Sequence, residues 1–314
     1  MLTRRHIRIK VVQSVYAFHQ SENPDIEKQE KFLLYSVQQI EDLYLLMLQL
    51  LVDVQKHAET YMLRSQKKHL ATQEEKNPSK NFINNNIPLL ISETPLFSES
   101  IKNKKLDLWK QDDEYVTIIF NELRNAEWYK EYLAIEAPNF NDDKNCILKL
   151  YKEVIAPNEK LYDYLEDKRL TWLDDFPVVN TAIIKMIGQL SKKNSASIVL
   201  PELYKNEEDK EYATSLFRKI ILHNEKLEKE IEGKTPNWDK ERIADIDMVI
   251  LKLGITEFLH FPSIPTRVTI NECLEIAKEY STPKSSIFIN GILDKLVKEF
   301  EKSQKLKKIG RGLR

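Results

Sequence analysis

Glycine is scarce in this chain, where it occupies only six of 314 positions. Tight turns and phosphate-cradling loops depend on glycine, because it adopts backbone conformations that other residues avoid. Such a chain is unsuited to a turn-rich sheet protein or to a fold with a glycine-rich loop. Apolar residues instead recur at the spacing of helix faces over long stretches. We therefore predict an all-α fold.

The helical pattern is interrupted once over a long distance. A helix is expected from about Glu27 to Lys67, because apolar residues line one side of it throughout. Between residues 70 and 105 the pattern disappears into polar residues and prolines, which predicts a flexible loop. Helical periodicity returns after residue 106 and is clearest in the last third of the chain.

The last third also carries capping signals and an unusual glycine. Thr269 and Glu272 have the spacing of a capping box for one helix, and Ser285 or Ser286 can cap the next. Gly291 lies inside that final helix, where it costs roughly 1 kcal/mol relative to alanine. We expect Gly291 to permit the close approach of a neighbouring backbone.

Positive charge is concentrated at the two ends of the chain, although the net charge is −1. The N-terminal 21 residues carry no acid, and their basic residues are Arg4, Arg5, Arg8 and Lys10. Residues 302–314 form a second basic segment. Basic ends on an acidic body indicate a local contact with a polyanion. A purely solubilising tail stays open as the alternative for 302–314.

The sequence contains neither a catalytic constellation nor a metal-binding motif. Its six histidines stand apart, and the two cysteines, Cys146 and Cys273, fit no metal spacing. We therefore expect no cofactor, no metal and no enzymatic activity. The low cysteine content, with neither a signal peptide nor a bilayer-spanning apolar stretch, predicts a reduced, cytoplasmic setting and no membrane contact.

Two motifs near the C-terminal end and one at the N-terminus follow a family pattern. They comprise Val268, Ile270, Asn271, Glu272, Glu275, Ala277 and Lys278, then Phe288, Ile289, Asn290, Gly291, Leu293 and Asp294, and at the N-terminus Arg4, Arg5, Arg8, Val12, Gln13, Val15 and Tyr16. The chain resembles the NusB family of bacterial transcription antitermination factors. The resemblance implies a NusB-like antiparallel helical bundle, residues 1–21 plus 205–301. A large helical insertion, residues 22–204, would split it, and a basic tail, 302–314, would follow.

The resemblance also implies a function. Members of the family bind boxA-type single-stranded leader RNA jointly with NusE, a small-subunit ribosomal protein. They act in the RNA polymerase antitermination complex and promote processive transcription, here expected for ribosomal RNA operons. The RNA-binding candidates are Arg4, Arg5, Arg8, Lys10, Tyr16, Lys284, Ser285 and Phe288, and the candidates for NusE contacts are Lys252, Thr256 and Glu257.

The chemistry of these residues suits RNA. Arginine and lysine neutralise phosphates, and an aromatic such as Tyr16 or Phe288 can stack an unpaired base for roughly 1–3 kcal/mol. Arg5 and Tyr16 would project from the same helix about 16 Å apart, and Lys284 is expected on the same surface as Arg4, Arg5 and Arg8. Either aromatic could instead belong to the core.

Two alternative functions stay open. The chain could be a helical interaction protein that does not bind RNA. It could also be a regulatory relative of the NusB-like domain found in RNA cytosine methyltransferases. The second is disfavoured, because no glycine-bearing cofactor domain follows the NusB-like segment.

Overall fold

The computed structural model of the protein describes residues 1–70, 72–191, 202–232, 234 and 243–313. Within these residues every regular element is a helix, which confirms the predicted all-α fold. The α-helices are α1 (Arg4–Gln20), α2 (Ile26–Gln66), α3 (Gln73–Lys76), α4 (Asn86–Glu93), α5 (Pro95–Lys104), α6 (Leu108–Gln111), α7 (Glu114–Asn125), α8 (Glu127–Leu133), α9 (Phe140–Lys149), α10 (Glu159–Lys168), α11 (Phe176–Gln189), α12 (Glu207–Leu222), α13 (Asn224–Ile231), α14 (Asp245–His260), α15 (Thr266–Tyr280) and α16 (Ser285–Lys302). A π-helical segment, Leu150–Ile155, continues α9, and two 3₁₀ turns occupy Leu170–Trp172 and Gly310–Leu313.

The chain forms two compact units. The terminal unit comprises Leu2–Val37 and Tyr204–Arg314, and the middle unit comprises Met1 and Gln38–Leu203. Helix α2 contributes its first residues to the terminal unit and the remainder to the middle unit. The division into a NusB-like domain, an insertion and a tail stays a prediction.

The terminal unit is built around α14. Helices α15 and α16 pack on α14 and on each other, and α1 packs on α12 and α14. A Cβ added at Gly254 of α14 would lie 2.9 Å from Leu293 Cδ2 and 3.3 Å from Cys273 Sγ. Gly254 therefore allows α15 and α16 to lie close to α14. The expectation for Gly291 is wrong, because Gly291 is exposed and a Cβ there would meet no atom within 4 Å.

The capping signals of the last third act differently from their prediction. Helix α15 begins at Thr266, so Thr269 lies one turn inside it and donates a hydrogen bond to Glu257 Oε2 (2.5 Å). Glu272 forms an ion pair with Arg5 instead of closing a capping box. Ser285 is the first residue of α16 and makes no capping hydrogen bond. Tertiary partners from distant segments therefore replace the local caps.

The middle unit is organised on the apolar part of α2. Leu43, Met47 and Leu50 are among its fully buried side chains. Two indole groups lie against this helix: Trp109 Nε1 donates to the carbonyl of Leu46 and Trp172 Nε1 donates to the carbonyl of Gln39, both at 2.8 Å. The observed bounds of α2 agree with the predicted helix within one residue at each end.

The predicted flexible loop at 70–105 is wrong for much of its length, since α4 and α5 lie within it. Ile87 and Phe97 are buried, which anchors both helices despite their polar surroundings. Asn85 caps α4 by accepting a hydrogen bond from the backbone N–H of Ile87 (3.0 Å). The amide of Gln55 donates to the carbonyls of Phe82 and Asn85, at 3.0 and 3.1 Å. The side-chain amides of Gln55 and Asn85 thus form hydrogen bonds with backbone groups. The polar sequence had suggested that these groups would be solvated.

Candidate nucleic-acid interface

Helices α1 and α14 run antiparallel in the terminal unit, with polar contacts at both ends of the pair. Arg8 of α1 contacts Glu257 of α14, and Gln20 Nε2 donates to Asp245 Oδ2 at 2.8 Å. The two contact residues on each helix are twelve positions apart, which is about 18 Å along a helix axis. The interface therefore has two ends, here called the arginine end and the lysine end.

A buried ion pair dominates the arginine end. The side chain of Arg8 donates to both oxygens of Glu257, with Nε–Oε1 at 2.6 Å and Nη2–Oε2 at 3.2 Å. Arg8 is 2% exposed and Glu257 is fully buried. The hydroxyls of Tyr212 and Thr269 also donate to the Glu257 carboxylate. The Glu257 carboxylate thus accepts four hydrogen bonds, two from Arg8 and one each from Tyr212 and Thr269. Because all four donors belong to the fold, the cluster has a structural role.

The electrostatics of Arg8 agree with this assignment. Burial alone would lower the pKa of Arg8, but the Glu257 carboxylate and Tyr212 raise it above its ordinary value. Burial, followed by the charge of Glu257, raises the pKa of Tyr212 well above its usual range. Arg8 therefore stays charged, Tyr212 stays protonated, and neither side chain is available to a phosphate.

The other two arginines of α1 are paired at the surface. Arg4 contacts Asp209 at 2.8 Å and Glu208 at 2.7 Å, and Arg5 makes a two-pronged pair with Glu272 at 2.9 Å. The side chain of Arg5 is 41% exposed and that of Glu272 is 18% exposed. Glu272 Oε2 also lies 3.6 Å from Arg8 Nη1, so the pair belongs to a small network and is stronger than an isolated surface pair.

An open cavity of about 750 Å³ lies beside these arginines, between the start of α1 and the α14–α15 connection. Its lining includes the three arginines, Pro265 and Val268. Four carboxylates contact the three guanidinium groups, namely Glu208, Asp209, Glu257 and Glu272. The N-terminal basic cluster is therefore neutralised within the fold, contrary to the positive surface that the sequence predicts.

The lysine end is formed where α16 begins. Ser285 Oγ donates to Asp247 Oδ2 of α14 at 2.7 Å, which fixes the first turn of α16 against the first turn of α14. Lys284 directly precedes this contact and is exposed. Among the described residues no carboxylate lies in ion-pair distance of Lys284. Because Asp247 and Glu257 are ten positions apart, the contacts that Ser285 and Arg8 make on α14 lie about 15 Å apart along its axis. That Lys284 shares one surface with Arg4 and Arg5 stays a prediction, whereas Arg8 is buried.

Two predicted aromatic residues lie on helices that reach the lysine end. Tyr16 of α1 lies one turn before Gln20 and is 38% exposed. Phe288 of α16 lies one turn after Lys284 and is half-buried. The structure therefore brings the end of α1 and the start of α16 to the same turn of α14. A cation and an accessible ring on adjoining elements are what a single-stranded nucleic acid requires.

Several predicted binding residues are not accessible. Lys10, Ser285, Lys252, Thr256 and Glu257 are buried. Lys252 Nζ donates to Asn224 at 2.6 Å and to Glu228 at 2.8 Å, and Thr256 Oγ1 donates to the carbonyl of Lys252 at 2.7 Å. The exposure predicted for Lys252, Thr256 and Glu257 is wrong, because α14 is buried from residue 249 to residue 258.

The basic C-terminal segment is partly docked on the terminal unit, which sequence patterns did not indicate. Lys308 Nζ donates to the carbonyls of Glu257 and Phe261, at 3.0 and 3.1 Å, at the C-terminal end of α14. The backbone N–H of Ile309 donates to the carbonyl of Pro262 at 3.1 Å. Burial lowers the pKa of Lys308 to about 8. The segment thus caps the last carbonyls of α14, where a lysine is favoured.

The described part of the chain contains no group of three or more histidine, cysteine or acidic side chains arranged to hold a metal ion. Its helices include none that is long and apolar enough to cross a membrane. Cys146 and Cys273 are both buried, and burial raises the pKa of each thiol.

Comparison with known proteins gives similarities to one family. The model of the NusB family matches residues 179–298, from α11 to α16. The transcription antitermination protein NusB of Salinibacter ruber is 37% identical over 117 residues, which is 37% of this chain and 73% of the relative. The family match does not include residues 1–21, whose resemblance stays a prediction.

Two further relatives carry the same name. That of Methylacidiphilum infernorum is 44% identical over 94 residues, which is 30% of this chain and 66% of the relative. That of Chloroherpeton thalassium is 35% identical over 121 residues, 38% of this chain and 57% of the relative. The alignments thus cover between 57% and 73% of each relative and between 30% and 38% of this chain.

Proposed function

Because this chain belongs to the NusB family, we propose that it is a transcription antitermination factor. It would bind boxA-type single-stranded leader RNA together with NusE, join the RNA polymerase antitermination complex and promote processive transcription of ribosomal RNA operons. The names of three relatives, all transcription antitermination proteins, support the general activity. The likeness of residues 1–21 and 205–301 to the family supports the view that they form the RNA-binding domain, with 22–204 as an insertion.

The observation that carries the RNA proposal is the lysine end. Lys284 is exposed without an ion-pair partner among the described residues, while Arg4, Arg5 and Arg8 are each paired with carboxylates. Tyr16 offers a ring for a base on the adjoining helix. We place the first RNA contact at Lys284 and Tyr16, and a secondary one at Arg5, whose side chain is 41% exposed.

The partnership with NusE is proposed on chemical grounds as well as on family membership. A single free lysine and one ring give modest affinity for RNA, so a second protein that shares the ligand would supply the remaining contacts. Lys252 and Glu257 are committed to buried hydrogen bonds and are not proposed as contacts with NusE. The NusE surface must involve exposed residues elsewhere on the terminal unit.

A gel-shift titration of boxA RNA, with and without NusE, tests the proposal. Lys284→Glu should weaken RNA binding at least about tenfold, since it reverses a charge beside the strand. Lys298→Glu is the matched control: Lys298 is exposed on the same helix, fourteen residues on, or about 21 Å along its axis. It should bind RNA as the parent does.

The salt dependence adds a second readout. The logarithm of affinity should fall with the logarithm of salt concentration by about 0.7 per phosphate neutralised on a single strand, and Lys284→Glu should reduce that slope. If Lys284→Glu and Lys298→Glu lose RNA affinity equally, the lysine end is not part of the RNA-binding site. Binding to NusE without any binding of RNA would favour the helical interaction protein.

A further inference from the structure

The middle unit contains an open, lysine-rich cavity of about 510 Å³, which the proposed function does not use. It lies between α2, the end of α4, α5 and α6. Its lining includes four exposed lysines, which are Lys56, Lys102, Lys105 and Lys110. Two carboxylates of the described residues line it, those of Asp53 and Asp107. The cavity is therefore positively charged, although the chain as a whole has a net charge of −1.

Three of the four lysines are not neutralised within the described fold. Lys56 Nζ lies 3.5 Å from Asp53 Oδ1 and so has a counter-charge. Asp107 accepts a hydrogen bond from the side-chain amide of Gln111 at 3.1 Å. No carboxylate of a described residue lies in ion-pair distance of the remaining three, Lys102, Lys105 and Lys110. A ligand can therefore reach these three side chains without breaking an ion pair.

The backbone of Lys105 gives independent support for a role of this cluster. Lys105 follows α5 in the left-handed conformation, with φ 53° and ψ 45°. The chain reverses there, so that Leu106 is buried and its backbone N–H donates to the carbonyl of Ile101 at 3.0 Å. Glycine is the usual residue at such a position, because a side chain strains it. No described hydrogen bond or ion pair uses the Lys105 side chain, so an external ligand is the contact that would offset the strain.

The composition of the cavity favours a phosphate backbone over a protein surface. Val52, Phe97 and Trp109 line the cavity, but each is at most 3% exposed and offers no apolar anchor. Protein partners depend on such anchors for most of their binding energy. A phosphodiester backbone needs only accessible cations, and lysines on flexible stems supply them. The exposed lysines also suit a strand that crosses the cavity better than a small molecule that must be enclosed.

We propose that the middle unit binds the backbone of single-stranded RNA at Lys102, Lys105 and Lys110, as a contact separate from the lysine end. Three lysines can neutralise up to three phosphates. The contact is independent of sequence, because phosphates carry no base information. The choice of RNA as the polyanion rests on the proposed function. The insertion would thus add affinity for RNA without adding specificity.

The test measures binding of the full chain, without NusE, to a labelled oligouridine that lacks boxA, by fluorescence anisotropy. The triple variant Lys102→Gln/Lys105→Gln/Lys110→Gln should weaken binding at least about tenfold. It should also lower the salt slope by about 2, which is about 0.7 for each of three phosphates. The matched control is Lys80→Gln/Lys152→Gln/Lys160→Gln, which removes the same charge from exposed lysines of the middle unit outside the cavity. It should bind oligouridine as the parent does.

Lys105→Gly separates RNA binding from folding. Glycine relieves the strain of the left-handed backbone, so the melting temperature should be higher than that of the parent. RNA binding should nevertheless weaken by about two- to fivefold, since one phosphate contact is lost. A lower melting temperature with unchanged RNA affinity would assign Lys105 a structural role and would contradict the proposal.

Two further results would overturn the proposal. One is equal binding of oligouridine by the triple variant and the control. The other is binding of polyglutamate as tightly as oligouridine, lost only in the triple variant, which would indicate an acidic protein partner. Lys284→Glu with boxA RNA and NusE tests the terminal unit separately. Oligouridine binding through the three lysines without any response to boxA and NusE would support this site and remove the antitermination proposal.

Discussion

Replacement of Arg8 by methionine should destabilise the terminal unit strongly, although Arg8 belongs to the basic cluster that the sequence assigns to the surface. Methionine roughly matches the volume of the arginine stem, so the change removes charge more than packing. Breaking a buried pair from one side costs about 3–5 kcal/mol, because the other charge is left uncompensated. Here that charge is Glu257, which is fully buried.

The stability lost in Arg8→Met should be partly recovered when Glu257 is also made neutral. After Arg8→Met the carboxylate of Glu257 keeps the hydroxyl donors of Tyr212 and Thr269 but loses its cation. In the double variant Arg8→Met/Glu257→Gln the site is neutral, and the glutamine oxygen can still accept from these hydroxyls. We expect the double variant to recover at least about 1 kcal/mol relative to Arg8→Met alone, since buried neutral groups need no counter-charge.

Urea unfolding followed by far-ultraviolet circular dichroism measures these free energies, and hydrogen exchange of the amides in α1 and α14 locates the change. Arg267→Met is the control, because Arg267 is an exposed arginine of the same unit. The unfolding free energy of this variant should lie within about 0.5 kcal/mol of the parent value. The reasoning is refuted if Arg8→Met behaves like Arg267→Met. It is refuted equally if the double variant is no more stable than Arg8→Met.

Further predictions concern glycine and the docked tail. Gly254→Ala should lower the unfolding free energy by about 1–3 kcal/mol through overpacking, whereas Gly291→Ala should raise it by about 0.4–1 kcal/mol; equal effects in urea unfolding would contradict this. Lys308 has a folded pKa of about 8 against its usual 10.5, so between these values the unfolded chain holds more protons and stability rises with pH. The stability of the parent relative to Lys308→Met should therefore increase from pH 7.5 to pH 9.5, and an unchanged difference in thermal melts would contradict the assignment.

The helices could be predicted well where one face is continuously apolar. The 41 residues of α2 follow such a pattern, and its bounds were therefore accessible from sequence. Helices α4 and α5 are short and bounded by prolines and asparagines, so their local signal is weak. Their stability depends on burial of Ile87 and Phe97 and on the amide of Gln55, which lies about thirty positions earlier in the chain. Local patterns do not contain such distant contacts.

The candidate site was predictable only in part. Family motifs located the residues, but the pairing of Arg8 with Glu257 joins positions 249 residues apart and had no sequence signal of its own. One local signal was nevertheless present. Arg8 shares a helix face with Val11, Val12 and Val15, which are buried, so its helical phase placed it on the core side. Tyr16 falls on the exposed side, as the structure shows.

The long separation between α1 and its partners has a consequence for synthesis. Helix α1 is translated before its partners, and the carboxylate that neutralises its buried arginine follows 249 residues later. At about 5–20 residues per second, this corresponds to roughly 12–50 s during which the valines of α1 cannot reach α14. The nascent chain must keep this apolar N-terminal segment from associating with other chains throughout that time. The order of the elements along the chain therefore sets how long α1 remains without its packing partners during translation.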